Sequence, residues 1–419
     1  MDRAKSYTIP KKEIWEAYKK VRANQGAAGV DGQTIADFEA DLTNNLYKLW
    51  NRMTSGSYFP PPVRRVEIPK SDGKTRPLGI PTVADRIAQM VVKRHLEPLV
   101  EPKFHPDSYG YRPGKSALDA IGVARQRCWR YNWVLDLDIK AFFESIEPEL
   151  LMRAVRKHTD CPWVLLYIDR WLKAPVQMPD GSLVGRERGT PQGGVISPLL
   201  ANLFLHYAFD MWMGRNFPDI PFERYADDVI CHCGSEDQAV ALRAALDARF
   251  TDCGLTLHPD KTKIVYCQDE SRRASYPVFR FDFLGYTFRP RLVSKKSGGM
   301  GVSFSPAASP TALKAIRRTI RRWALHLRSH KALDDLARMF NMYIRGWINY
   351  YGRYCPSALY PTLQHIEFYL ARWASGKYKS LRRHKRRSRH WLLRIAKRQP
   401  RLFAHWPLIY NCGRTMGAG

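Results

Sequence analysis

The stretch from Phe222 to Cys231 constrains this chain more than any other. Apolar runs on either side of Tyr225-Ala226-Asp227-Asp228 read as two strands, with the bend between them near Asp227 and Asp228. Unpaired carboxylates are costly to bury, so such a hairpin must end at the rim of a sheet. A separate strand, Trp133 to Ile139, places Leu135, Leu137 and Ile139 on one face and Val134, Asp136 and Asp138 on the other. One face belongs to a core, and the other delivers a third carboxylate to a sheet edge.

The remaining segments organise around these strands. Residues 11 to 55 read as helices broken by the glycine-rich stretch Gly26 to Gly32. Val63 to Lys70 and Thr75 to Ile80 form a basic hairpin around the turn Ser71-Asp72-Gly73-Lys74, and Thr82 to Leu99 is helical. Helices run to about residue 175, and the turn Pro179-Asp180-Gly181 and the loop Gly189 to Pro198 lead to a helix from Leu199 to about Met213. Glu236 to Cys253 is an amphipathic helix with Val240, Leu242, Leu246 and Phe250 as its apolar set. Strands return between Phe279 and Phe304. Beyond Pro310 three helices carry the stripes Leu313, Ile316, Ile320, Trp323, Leu327; Leu336, Phe340, Tyr343, Trp347, Tyr350; and Leu363, Ile366, Leu370, Trp373. Helices and strands mixed along a chain of this length predict an α+β protein in more than one lobe.

Charge narrows the partners. Lys and Arg total 68 against 39 Asp and Glu, a formal +29 that opposes compaction unless a polyanion neutralises it. After Glu367 there is no acidic residue but 14 basic ones, interleaved with Trp373, Tyr378 and Trp391. Cations alternating with aromatic faces suit nucleic acid better than a membrane surface. The eight cysteines include no C-x-x-C pair, and no stretch approaches the roughly 20 apolar residues of a membrane span, so the sequence reads as a cytoplasmic protein with reduced thiols.

Asp138, Asp227 and Asp228, converging without fixed cationic partners, would repel one another unless metal neutralised them, and oxygen-only ligation suits Mg2+. Two such ions activate a hydroxyl and stabilise leaving pyrophosphate, which is polymerase chemistry. The tetrapeptide by itself recurs by chance in about one in 20 chains of this length. The order of the neighbouring segments is what carries weight. Asp138-Ile139-Lys140-Ala141-Phe142-Phe143, Gly189 to Pro198, Tyr225 to Asp228, Gly254 to Thr262 and Phe283-Leu284-Gly285-Tyr286 resemble, in sequence order, the palm segments of reverse transcriptases.

Within that family the chain resembles the bacterial group II intron-encoded reverse transcriptase and maturase class. The residues concerned are Asn24 to Gly32, Ile68-Pro69-Lys70, Thr75 to Pro81, Asp85-Arg86, Tyr109 to Gly114 and Arg345 to Tyr351. The resemblance implies a right-hand polymerase: fingers with an N-terminal extension (1–130), palm (131–304), thumb or maturase domain (305–376) and a basic nucleic-acid-binding tail (377–419). It implies two Mg2+ ions, replaceable by Mn2+, on Asp138, Asp227, Asp228 and the Ile139 backbone carbonyl.

It further implies that Lys70, Arg76, Arg112, Phe143, Gln192 and Gly193 contact the incoming nucleotide, with Phe143 excluding a 2′-hydroxyl or serving simply as a core ring. Lys261 is either a general acid toward pyrophosphate or an exposed lysine beside Lys263. Asp136 reads as hydrogen-bonded support. Leu284 and Gly285 match the primer grip, and Arg318, Arg322, Arg345, Arg382, Arg383, Lys385, Arg386 and Arg387 are expected to hold RNA or DNA. The implied partners are group II intron RNA, an RNA template with DNA primer, a DNA target and deoxynucleoside triphosphates. No Cys- and His-rich endonuclease spacing occurs, which predicts an endonuclease-less form primed from elsewhere. The alternatives are a reverse transcriptase of the same fold serving host defence, spacer acquisition or DNA repair, and a protein acting mainly as an RNA-binding splicing cofactor.

Overall fold

Short polar side chains start the helices that matter most to the site. Thr34, Thr82, Ser235 and Ser309 each accept the backbone N–H three residues on, satisfying a donor that the first helical turn would leave without a partner. The computed structural model describes residues 6–69, 75–294 and 298–411. Lys70 and the expected 71–74 turn lie outside the described residues.

In chain order the elements are α1 (Lys11–Asn24), α2 (Ile35–Ala40), α3 (Leu42–Thr54), β1 (Val63–Pro69), β2 (Thr75–Ile80), α4 (Val83–Val100), α5 (Ala117–Cys128), β3 (Trp133–Leu137), α6 (Phe142–Ser145), α7 (Pro148–Arg156) and α8 (Pro162–Lys173). There follow β4 (Val176–Gln177), β5 (Leu183–Val184), α9 (Ser197–Leu205), α10 (Met211–Asn216), β6 (Phe222–Tyr225), β7 (Asp228–Cys233), α11 (Glu236–Asp252) and β8 (Lys263–Tyr266). The last are β9 (Phe281–Phe283), β10 (Tyr286–Ser294), β11 (Met300–Ala308), α12 (Pro310–Arg322), α13 (Leu333–Tyr351), α14 (Tyr360–Lys377), α15 (Lys385–Arg398) and α16 (Trp406–Asn411).

These α+β elements fall into two compact units, Met1–Ala124 with Tyr131–Ile264, and Arg125–Arg130 with Val265–Gly419. In the first unit one sheet runs β2-β1-β4-β5, and another has β7 between β6 and β3, with β8 beyond β3 at the unit boundary. The pairs β6–β7 and β3–β7 are antiparallel, with Tyr225 opposite Asp228 and Leu137 opposite Val229. Around the glycine-rich loop, Arg86 of α4 donates to the carbonyls of Gln25 (3.2 Å) and Ala27 (2.8 Å).

The structure refines one expectation and corrects four. The bend of the β6–β7 hairpin is Ala226-Asp227, because Asp228 already pairs with Tyr225. In α11 Val240 is exposed, and Ala239, Leu242, Leu246 and Phe250 form the buried stripe, the set that keeps steps of three and four. The helix expected from 199 to 213 is interrupted by a π-turn at His206–Asp210, where Arg249 donates to the Tyr207 and Ala208 carbonyls. In the second unit α12 stops at Arg322, leaving Leu327 72% exposed, and on α13 Ile344 rather than Tyr343 is buried.

The second unit holds the three-stranded sheet β11-β10-β9 and a helical core. Leu363, Ile366, Leu370 and Trp373 of α14 are all completely buried, and the Trp323 ring stacks on Phe340 and Trp347. The C-terminal segment is latched by Glu367, which accepts from His405 (2.7 Å), Trp406 (2.8 Å) and the Tyr410 hydroxyl. Burial by itself would raise the Glu367 pKa, but His405 and the Tyr410 and Trp406 donors pull it below the ordinary carboxylate value.

Glu367→Ala leaves these donors without an acceptor and is expected to cost roughly 2–3 kcal/mol in denaturant unfolding while exposing the C-terminal segment to limited proteolysis. Because the folded-state pKa is depressed, the latch stabilises the protein above the ordinary Glu range and weakens as pH falls through the folded value. The difference between wild type and variant should therefore shrink in acid.

Candidate active site

The three aspartates arrive on elements of one sheet. Asp227 sits in the bend and Asp228 at the start of β7, while Asp138 follows β3, the neighbour of β7. Beyond β3 the chain bridges Leu257 at Ile139. His258 N donates to the Asp138 carbonyl (2.7 Å) and Lys140 N to that of Thr256 (2.9 Å). Ile139 is therefore the non-bonded member of an antiparallel bridge, and its own carbonyl is not spent there.

What fixes the bend is a buried charge. Arg224, fully buried in β6, makes a two-pronged pair with Asp210 (2.7 and 2.6 Å) and donates to Asn202 Oδ1 (2.9 Å) and the Ala226 carbonyl (3.3 Å). Burial would raise the Asp210 pKa, yet Arg224 and His206 hold it below its usual value. Asn202 also donates to the Gly110 carbonyl (2.6 Å), and Tyr109 N to that of Arg224 (2.7 Å), so residues 107–110 lie along β6. A Cβ on Gly110 would fall 2.4 Å from Ala226 N, so only glycine lets this segment press on the bend. Ala226 itself sits at φ 56, a left-handed conformation held by these contacts. Arg224 and Asp210 were not singled out from the sequence; the available signal was an arginine inside an apolar strand.

The site is short of positive charge. Asp228 is reachable by solvent but crowded by protein on most sides. Its carboxyl is pushed up to about 6 by that desolvation and by Asp227 and Asp138, with Arg76 opposing. Asp227 is raised by desolvation and by Asp138, and Arg76 again opposes. Contrary to the expectation of no fixed cationic partner, Lys261 lies 3.3 Å from Asp138, an exposed pair of small energy. Among the described residues no group of three or more His, Cys, Asp or Glu forms a ready-made metal cage. The donor set nevertheless fits a hard divalent cation: oxygen ligands alone, with desolvation and neighbouring carboxylate charge both raising Asp227 and Asp228.

Tyr111, missed in the sequence, is a neighbour of this charge. Its ring lies 6.2 Å from that of Tyr225, and desolvation, with Tyr225, Asp227 and Asp228 adding, raises its hydroxyl pKa. Arg112 is placed differently from expectation. Its guanidinium binds Glu101 (2.8 Å) and the carbonyls of His105 and Ser108 (2.7 Å each), so it braces the 101–112 loop and is not free to meet a nucleotide.

The loop from Gly189 to Pro198 is held from three sides. Thr190 N donates to the Phe143 carbonyl and Gly189 N to that of Ile146, both at 2.8 Å, and the Phe143 ring is buried against Phe142. Arg76 donates to the Gln192 side chain, and Gly79 N to the Gln192 carbonyl, both at 2.6 Å. Gly193 is at φ 110, and a Cβ there would lie 2.5 Å from the Gly79 carbonyl oxygen. The third hold is Gln89 of α4, whose Oε1 accepts Val195 N (2.7 Å) and Ile196 N (3.3 Å). Its amide donates to buried Asp85 (2.9 Å), which also takes the Tyr58 hydroxyl (2.8 Å) and Trp171 Nε1 (2.7 Å). These bonds orient the Gln89 amide with its oxygen toward the loop.

Within the second unit, Tyr350 donates to the Leu284 carbonyl (2.8 Å), Ser309 N donates to that of Gly285 (3.0 Å), and the Tyr286 hydroxyl bonds the Tyr350 carbonyl. The stripe residue Tyr350 thus also braces the expected primer-grip turn. Arg318, Arg322, Arg345, Arg382, Arg383, Lys385, Arg386 and Arg387 are all exposed.

Comparison with known proteins places the chain among two families. Residues 68–288 match the family described as reverse transcriptase (RNA-dependent DNA polymerase), and residues 313–391 match the group II intron, maturase-specific domain. Protein YkfC of Escherichia coli (strain K12) is 33% identical over 67% of this chain and 80% of its own length. Group II intron-encoded protein LtrA of Lactococcus lactis subsp. cremoris is 34% identical over 45% of this chain, a match spanning 32% of LtrA. The putative COX1/OXI3 intron 1 protein of Saccharomyces cerevisiae is 24% identical over 73% of this chain and 40% of its own length.

Gln89→Met keeps the side-chain length and removes the acceptor that fixes Val195 and Ile196. Steady-state kinetics with deoxynucleoside triphosphates should show catalytic efficiency falling by about tenfold, carried mostly by KM, and the unfolding midpoint should fall too, because buried Asp85 and the Val195 and Ile196 N–H groups each lose a partner. A variant with wild-type kinetics would remove Gln89 from this role.

Proposed function

The chain belongs to the reverse transcriptase (RNA-dependent DNA polymerase) family and carries a group II intron maturase-specific domain, and from that premise we propose how its residues divide the work of copying RNA into DNA. The observation that carries the reading is the three-aspartate rim, Asp138 beside the hairpin of Asp227 and Asp228, braced by Arg224 and Gly110.

Reverse transcriptases use divalent metal ions; here the proposed ions are two Mg2+, with Mn2+ able to substitute. Asp138, Asp227, Asp228 and the Ile139 carbonyl would hold them. Bound there, they would activate the primer 3′-hydroxyl and stabilise the departing pyrophosphate. Arg76 and Lys70 bind the triphosphate and offset charge as it grows. Arg76 is also tied to Gln192, so the phosphate contact and the loop that meets the nascent base pair move together. Gly193 allows close backbone approach, Leu284 and Gly285 grip the primer end, and Lys261 is poised to give a proton to pyrophosphate. In this reading residues 1–130 are fingers, 131–304 palm, 305–376 thumb and 377–419 a basic tail.

The proposed partners are a group II intron RNA, which the protein helps to splice and move, a primed RNA template and a DNA target. Among the described residues no helix is long and apolar enough to cross a membrane.

Asp227→Ala with Asp228→Ala should lower cDNA synthesis on a primed RNA by more than about 10³-fold while intron binding persists. Splicing assistance that survives would separate the RNA-binding role from the polymerase, and undiminished cDNA synthesis would sink the mechanism. Phe143→Ala should raise incorporation of ribonucleotides relative to deoxynucleotides on the same template. If Phe143 is only a core ring, the variant loses stability and both substrates fall together.

A further inference from the structure

The second unit contains a cleft of about 600 Å3 between α14 and the segment that opens α15. That volume lies within the roughly 300 to 1,000 Å3 of small-ligand sites. One wall is a single face of α14, where Phe368, Arg372 and Ser375 recur at steps of four and three over the floor residue Ala371. The other wall brings Arg382, Arg383, Lys385 and Arg389. The lining holds five cations and no acid, all five cations are exposed, and among the described residues none of them is joined to a carboxylate. Phe368 is 44% exposed, with the Arg372 guanidinium 5.8 Å from its ring centre.

Two features mark the far wall of this cleft. Helix α15 begins with Lys385, Arg386 and Arg387 and has no acid in its first turn, which stacks like charge on the positive end of the helix dipole. Arg383 holds φ 65, a left-handed conformation that glycine adopts freely and arginine does not. A phosphate among these side chains relieves the first, and the second is the turn that sets Arg383 between Arg382 and Lys385 at the cleft.

We propose that this cleft is a subsite for one unstacked nucleotide of a folded RNA, with the base on the Phe368 ring and its flanking phosphates on Arg372, Arg382, Arg383, Lys385 and Arg389. The inference rests on the RNA-binding side of the function proposed above and is independent of the polymerase chemistry. A flat anionic surface such as a lipid headgroup layer meets convex cations, whereas here the ring and charges line a concavity. Unstacked bases presented in bulges and loops are the usual targets of sequence-reading RNA proteins, and base stacking on an aromatic ring with cations along the backbone is how single strands are held.

The test uses the full chain and fluorescence anisotropy with an RNA hairpin carrying a single bulged 2-aminopurine, beside the same hairpin fully paired, a bulged DNA hairpin, and phosphatidylserine vesicles. Wild type should prefer the bulged RNA and quench its fluorophore. Phe368→Leu should weaken bulged RNA binding roughly tenfold, abolish the quench and leave the paired hairpin unchanged. Arg383→Gly with Arg389→Gln removes two phosphate contacts, the first at a position where glycine relieves strain. It should reduce the slope of log affinity against log salt by roughly 1.4.

Equal losses for bulged and paired RNA in Phe368→Leu overturn the subsite. Bulged DNA bound as tightly as bulged RNA overturns the RNA assignment. Vesicle binding lost in these variants while bulged RNA binding is untouched assigns the cleft to a membrane surface instead. Wild type that binds neither RNA hairpin defeats the underlying RNA-binding reading itself, and cDNA synthesis on an unrelated primed template, run alongside, reports on the polymerase separately.

Discussion

Arg224 and Asp210 form a charge pair in the interior of the first unit, and the geometry of the catalytic rim depends on it. Such a pair adds little net stability over a well-packed apolar substitute, but removing one partner costs about 3–5 kcal/mol because the other charge is left buried. What it secures is position. From one guanidinium run bonds to Asp210, to Asn202 and to the Ala226 carbonyl, and Asn202 passes the constraint on to Gly110. The bend that carries Asp227 is therefore braced from the helical side and from the 107–110 segment at once, which is how Ala226 is kept in a conformation it would leave if free.

Electrostatics then explains why a chain of formal charge +29 keeps an acidic rim. Asp227 and Asp228 are raised by desolvation and by neighbouring carboxylate charge, with Arg76 opposing, while Lys261 pairs with Asp138. A rim of that kind offers oxygen ligands suited to divalent cations, and the excess positive charge elsewhere suits a polyanion. The same asymmetry recurs in the second unit, where cations gather around an exposed aromatic ring without acids to quiet them.

Much of the fold was legible from short-range patterns. Alternation gave β3 and the β6–β7 hairpin, and steps of three and four gave α4 to within a residue of its ends and placed the stripes of α13 and α14 inside those helices. Failures came where two patterns competed. Val240 is apolar and so competes for the α11 stripe, but the small Ala239 at the correct step is the buried one. Leu327 continued the α12 spacing on paper, but the helix ends at Arg322. The π-turn at His206–Asp210 has no local signature, since Arg249, far away in sequence, satisfies its carbonyls. At the site, the aspartates and Gln192 could be named from motif order. Gln89, Arg224, Asp210 and Tyr111 could not, because their roles lie in whom they touch.

Residue type and order alone gave the family likeness and the candidate chemistry: which side chains offer oxygen ligands, which segments follow one another, and where positive charge accumulates. These are properties of residue type and order, and they survive without knowing a single distance. Only the tertiary structure decided that Arg112 braces a loop, that Lys261 leans on Asp138, and that Gln89 aims its amide at the Gly189–Pro198 loop. A guanidinium or an amide reads the same in sequence whether it faces solvent, ligand or backbone. Which it faces is settled by long-range packing, because a buried polar group must find partners wherever the fold supplies them.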